Sequence, residues 1–206
     1  MVSRGIQWYV FGWLMRHGYL TGPTTTVVGI IVFLPGADMG DAAQGETAMA
    51  RVSEALSLIR RYDPRRFDRI LRDGVRIVFT RHIGNAQYWR PVNVIALDLP
   101  SVIRWSASQT ATSIVHEATH ARLALSGIIS RRATISRVER RCVEEEITFV
   151  RRLPQSNEAF EQWAAKKRSS LATEWWTRRE MARRRVALLE REGGPPWLLW
   201  LARRLS

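Results

Sequence analysis

The chain has 206 residues, a formal net charge of +13 and a single cysteine, Cys142. That length accommodates one domain of moderate size with an appendage and a core that needs no covalent staples, and the lone thiol excludes an internal disulfide framework. Thirty-two lysines and arginines against nineteen acids draw the chain toward nucleic acid, anionic lipid or acidic partners without choosing among them.

Residues 5–15, GIQWYVFGWLM, are apolar and aromatic, and after Arg16 and His17 comes an uncharged run over 18–36. The run has about the 20 residues that a bilayer crossing requires. Pro23, threonines and glycines dilute it, and only VVGIIVFL is strongly apolar. A buried strand or an interfacial segment therefore competes with a single membrane span. For a span, Arg4 and Arg16 before it and Asp38, Asp41 and Glu46 after it put the N-terminus in the cytoplasm and the body on the far side; the alternative is a cytoplasmic protein. A cleavable signal fits less well, because its positive region would be long and GDAAQG is a poor cleavage site. PGADMGDAAQG, 35–45, reads as a linker. The expected division is thus 1–45 as a hydrophobic segment and linker, 46–192 as the folded body, and 193–206 as an aromatic, basic tail.

Over 46–59 the apolar positions Ala48, Val52, Ala55, Leu56 and Ile59 recur at helical spacing. Asp63-Pro64 breaks that helix before a second, short one through Phe67, Ile70 and Leu71. VRIVFT (75–80) and VNVIALDL (92–99) are β-branched runs joined by the loop RHIGNAQYWRP. They predict two antiparallel neighbouring strands, the second ended by Pro100. Ser106 with Gln109 three residues on is a capping-box pair that opens a helix, and Gly127 is a natural stop. A further helix is expected over 133–153, ended by Pro154, and a long one over 156–192, ended by GGPP at 193–196. The fold class is α+β, mostly helical, with no internal repeat.

The stretch SIVHEATHARL, 113–123, falls inside the capped helix. His116 and His120 are four apart, which puts both imidazoles on one helix face, able to grip a single ion from two tetrahedral corners. Glu117 then projects beside such an ion, where it can take a proton from metal-bound water. A zinc site needs a third protein ligand, and the next helix offers Glu139, Glu144, Glu145 and Glu146. On a helical wheel Ile135, Val138, Cys142, Phe149, Val150 and Leu153 share one face, while Arg137, Arg140, Glu144 and Arg151 point away. Glu139 and Glu146 fall within the apolar face and Glu145 at its border. Carboxylates aimed at a core need a partner: a metal ion is one and a buried arginine is the other.

The spacing from His120 to Glu139, with eighteen residues between, resembles the HExxH(18)E signature of gluzincin metallopeptidases over roughly residues 75–153. The resemblance implies a minimal zincin, a small sheet packed over the HExxH helix and a following glutamate-bearing helix. It implies zinc held by His116, His120 and Glu139, Glu117 as general base, and a peptide or protein substrate paired along a strand of the cleft, for which VNVIALDL is the candidate. Glu139 and Glu146 stand two turns apart, about 10 Å along a helix, too far to share one ion. Glu146 is therefore a substitute ligand or an acid behind the ligands, and Cys142, one turn beyond Glu139, is a further candidate ligand or plain core. Gluzincins of the familiar kinds supply a Tyr or His downstream of the third ligand to stabilise the tetrahedral intermediate. This chain has neither after His120. His82 or Tyr88 from the inter-strand loop, or Arg137 or Arg140, would have to serve as oxyanion stabiliser. His17 and His82 otherwise read as structural.

The predicted long helix carries KKR at 166–168 and RRR at 183–185, with Trp163, Trp175 and Trp176 interleaved. A solvated basic face is favoured over nucleic-acid binding, because Glu161, Glu174, Glu180 and Glu190 are interspersed and no recognised binding motif accompanies them. The tail WLLWLARRLS adds an argument for an anionic lipid surface. Two rivals to an enzyme thus stand: a zincin-fold scaffold without turnover, and a basic nucleic-acid or lipid adaptor in which HEATH is incidental.

Overall fold

A computed structural model of the chain describes residues 24–33, 42–80, 86–128 and 134–154, together with isolated positions between 162 and 200. His17, His82, the stretch 5–15 and most of the long helix and tail lie outside the described residues. Among the described residues the architecture is α+β: five helices and a five-stranded mixed sheet.

The run VVGIIVFL supplies most of a hairpin. Strands β1 (Thr24–Val27) and β2 (Ile30–Phe33) pair antiparallel across Val28 and Gly29, whose φ angles are 45° and 92°. Positive φ at both central residues gives the tight two-residue turn whose twist suits flanking strands. A Cβ on Gly29 would stand 3.1 Å from Leu71 Cδ2, so a side chain there would press on Leu71 as well as strain the backbone. Ile30, Val32 and Phe33 are buried. Among the described residues no helix is long and apolar enough to cross a membrane.

Helix α1 (Ala42–Tyr62) starts inside the stretch expected to be linker, because Ala42, Ala43 and Gln44 favour helix. It buries Ala48, Val52, Ala55, Leu56 and Ile59, the stripe visible in the sequence. Asp63 caps helix α2 (Pro64–Arg72) by accepting from Arg66 N, with Pro64 in the first turn. Strand β3 (Arg76–Thr80) follows, then β4 (Ala86–Trp89), a 3₁₀ turn over Arg90–Val92, and β5 (Val94–Asp98).

The sheet order is β1-β2-β3-β5-β4. Strands β3 and β5 are neighbours, as expected, but parallel, with Arg76 opposite Val94 and Thr80 opposite Asp98. The connecting loop explains the correction. It contains β4, whose short AQYW run pairs antiparallel with β5, Ala86 opposite Leu97 and Trp89 opposite Val94. The 3₁₀ turn and Asn93, at φ 51°, reverse the chain between them. All five residues of β5 are buried, as befits a strand flanked on both sides and covered on both faces. Pro100 does not terminate it. Asp98 does so by capping helix α3 (Leu99–Arg104), its Oδ2 accepting from Ser101 N at 3.1 Å, and Pro100 sits in that helix's first turn.

The capping box opens helix α4 (Ala107–Leu125) as read: Gln109 N donates to Ser106 Oγ and Ser106 N to Gln109 Oε1. Gly127, at φ 79°, closes it, with Ile128 N bonded to Leu123 O and Gly127 N to Ala124 O, a Schellman end. Helix α5 (Ile135–Val150) comes next. Alternation along the sheet sends Ile30, Val32, Ile77, Phe79, Ile95 and Leu97 into the main core with α1, α3 and α4. Phe33, Val78, Val94 and Ala96 form a smaller cluster on the other face.

Candidate metal centre

Helix α4 buries Ala111, Ile114, Val115, Ala118 and Ala121 on the core. That anchoring leaves His116 and His120 at the border, with side chains 14% and 16% exposed. Their rings lie 5.1 Å apart, centroid to centroid. Helix α5 packs alongside and presents Glu139, Cys142 and Glu146, all buried, on its facing side. The wheel sorted this helix correctly: Arg137, Arg140, Glu144 and Arg151 are exposed.

The Glu139 carboxylate spans the two imidazoles. Its Oε2 is 3.4 Å from His116 Nε2 and its Oε1 3.3 Å from His120 Nε2. Each contact is close to the roughly 3.3 Å between neighbouring ligand atoms of a tetrahedral zinc, and each engages a different oxygen of the carboxylate. Glu146, two turns on, meets His116 on its other nitrogen, Oε2 to Nδ1 at 3.1 Å. The two buried acids thus hold one imidazole by different edges.

Proton affinities follow from this packing. Burial alone would lower the His116 pKa; hydrogen bonds to Glu139 and Glu146, with the charges of Glu117 and Glu146, override it and raise the pKa to about 10. Burial alone would raise Glu139, but the hydrogen bonds and charges of His116 and His120 hold it down at about 2. Without metal the cluster is an imidazolium held between carboxylates.

Among the described residues, the side chains whose ligand atoms all lie within 4.8 Å of one another are those of His116, His120 and Cys142, and this group could hold a metal ion. Burial pushes the Cys142 thiol up, and the carboxylates of Glu139, Glu117 and Glu146 push it further. A thiol that keeps its proton is the poorer donor beside an ionised carboxylate. Glu139, held ionised by the histidines, and Cys142 both reach the two imidazoles from α5.

Glu117 is buried, and its Oε2 accepts from the backbone N–H of Tyr88 at 2.7 Å. This bond joins α4 to β4, the sheet edge nearest the histidines. One expectation changes here. Among the described residues the strand beside the site with an unpaired edge is β4; VNVIALDL, paired on both sides, has no edge left for a substrate. The Tyr88 hydroxyl donates to Asn93 Oδ1 at 3.0 Å, and Asn93 in turn ties down Asp73 O and Gly74 O. Arg137 and Arg140 are exposed on the outer side of α5, and His82 lies outside the described residues.

Sequence reasoning missed the strand AQYW as the site's border and the partner of Glu145. That acid binds Arg66 of α2, itself buried and paired with Asp63. The adjacent strand formers Tyr88 and Trp89 could have signalled the strand; nothing in the spacing of Arg66 and Glu145, 79 residues apart, points to their contact. No protein-family model, curated protein or solved structure matches the chain.

Proposed function

We propose that the chain is a zinc-dependent hydrolase of peptide bonds with a minimal zincin arrangement. The observation that carries this reading is the Glu139 carboxylate, delivered by a separate helix, at 3.4 and 3.3 Å from Nε2 of the two histidines of an HExxH helix. Two imidazoles and one carboxylate are the donor set of catalytic zinc sites that keep a position open. Zinc there supplies Lewis acidity and lowers the pKa of water toward neutrality.

The chain's own groups do the rest. Glu146 accepts the Nδ1 proton of His116 and fixes the tautomer that offers Nε2. Glu117 takes the proton of the attacking water and returns it to the departing amine. The Tyr88 N–H holds the Glu117 carboxylate in place. An extended substrate pairs along the free edge of β4, beside Glu117. Attachment to an anionic membrane surface through the apolar residues 5–15 and their flanking Arg4 and Arg16 belongs to the same proposal; flotation with acidic vesicles tests it.

A Glu117→Gln variant is the test: hydrolysis of a peptide library should disappear while zinc remains bound. One observation favours a rival, a metal-holding scaffold without turnover. The Tyr88 hydroxyl, a candidate oxyanion donor, is bound to Asn93. Wild-type protein with stoichiometric zinc that cleaves nothing in the library would select that rival.

A further inference from the structure

A pocket of about 250 Å³ lies between α2, α4 and α5, along the flank of α4 that bears Thr119 and Arg122. It shares no side chain with the metal centre. Its volume sits below the usual range of small-molecule sites, about 300–1,000 Å³, so its ligand is small. Four guanidinium groups line it, those of Arg66, Arg69, Arg122 and Arg141, with Asp73 and Glu145 as the acids.

Charge accounting separates these groups. Arg66, with a side chain only 7% exposed, is clamped by Asp63 and Glu145. Arg141 also pairs with Glu145, and Asp73 faces Arg72 at 4.0 Å. Glu145 is therefore engaged twice, and Asp73 stands at the limit of ion-pair distance from an exposed arginine. Among the described residues, the guanidinium groups of Arg69 and Arg122 have no ion pair or hydrogen bond. They stand close enough to repel: burial, then the charges of Arg122 and Arg66, lower the Arg69 pKa against the pull of Glu145 and Asp63. Two neighbouring cations without a directly paired counter-ion, in a partly apolar pocket between helices, attract negative charge from outside.

We propose that this pocket is a binding site for a phosphate group in its dianionic form, free phosphate or a phosphate monoester, held by Arg69 and Arg122 with Arg66 and Arg141 behind them. A phosphate near neutral pH carries about −1.5 to −2 charges, which matches the two unpaired arginines, whereas a carboxylate supplies one. Guanidinium forks also suit tetrahedral oxyanions through paired N–H donors.

The test is titration of purified full-length protein with inorganic phosphate against chloride at matched ionic strength, followed by calorimetry and thermal unfolding. Saturable binding with a raised melting temperature is expected. It should be abolished in Arg69→Gln/Arg122→Gln and unchanged in Arg65→Gln, an exposed arginine of α2 outside the pocket. The single variant Arg122→Gln alters only an exposed residue and should bind at least about tenfold more weakly, so the question stays answerable if the double variant fails to fold. Phosphate captured instead at the metal centre would survive the double substitution, and such survival overturns the proposal, as does the absence of saturable binding. Vesicles containing phosphatidic acid distinguish the source. Protein released from them by inorganic phosphate places a lipid headgroup in the same pocket, whereas binding to inorganic phosphate without vesicle binding identifies a soluble ligand; both support the site.

Discussion

His116 and Glu146 meet through Nδ1 and Oε2 at 3.1 Å, which leaves Nε2 of the same ring to Glu139. A buried carboxylate behind a ligand histidine sets its tautomer and raises its basicity, and loss of such a partner typically lowers metal affinity about 10–100-fold. Glu146→Gln should show that loss in competition with a chromophoric zinc chelator while leaving zinc stoichiometry at one per chain when the metal is in excess. Unchanged affinity would remove Glu146 from the design.

On the proposed zinc reading, metal and protons compete for this cluster. Because the surrounding acids raise His116 to about 10, it is protonated at neutral pH when metal-free, and zinc must displace that proton. Calorimetric titrations in buffers of different ionisation enthalpy should report release of at least about one proton per zinc at pH 7. Zinc binding with no buffer dependence contradicts the arrangement.

The same two shifts set the stability of metal-free protein. His116 is raised above its ordinary 6.5, so its contribution is complete below that pH and disappears as pH rises toward 10. Glu139 is lowered from 4.5 to about 2, so its contribution is present above pH 4.5 and lost as pH falls toward 2. Melting temperature, measured with chelator present, should therefore peak between pH 4.5 and 6.5 and decline on both sides. Stability still rising between pH 7 and 10 would contradict the His116 assignment.

Glu117→Gln keeps an oxygen that can accept from the Tyr88 N–H but removes the proposed base. Peptide hydrolysis should fall by about 10²–10⁴-fold, with thermal stability close to that of the wild type because β4 stays bonded to α4. A large drop in melting temperature would mean that the Glu117 charge chiefly serves the fold.

Arg66 is the pin between α2 and α5, with Asp63 2% exposed beside it and Glu145 opposite. Removing one member of a buried ion pair costs about 3–5 kcal/mol. Arg66→Ala should lie near the lower bound in urea denaturation, since Arg152 also reaches Asp63, at 2.7 Å. An effect under 1 kcal/mol would mean that the pair behaves as if solvated.

Local chemistry explains which features could be read from the sequence. The Ser106–Gln109 box, the Gly127 stop and the apolar stripe of α1 are contiguous signals, and each stands where its spacing put it. The inward faces of Glu139 and Glu146 followed from helical periodicity alone. What escaped depends on contacts between distant segments. Strand direction is set by where β4 inserts, so VRIVFT and VNVIALDL looked like a hairpin pair although they run parallel. The Tyr88 hydroxyl was free to point either way until Asn93 claimed it, and the four arginines of the α2–α4–α5 pocket come from three helices.

The most direct test of the metal centre is zinc content per chain in purified full-length wild type beside His120→Ala, Glu139→Ala and Cys142→Ala, each checked for folding by circular dichroism. One zinc in the wild type and in Cys142→Ala, with loss in both other variants, is the expected result. Folded Glu139→Ala that retains its zinc, or folded Cys142→Ala that loses it, would contradict the assignment of Glu139 as third ligand.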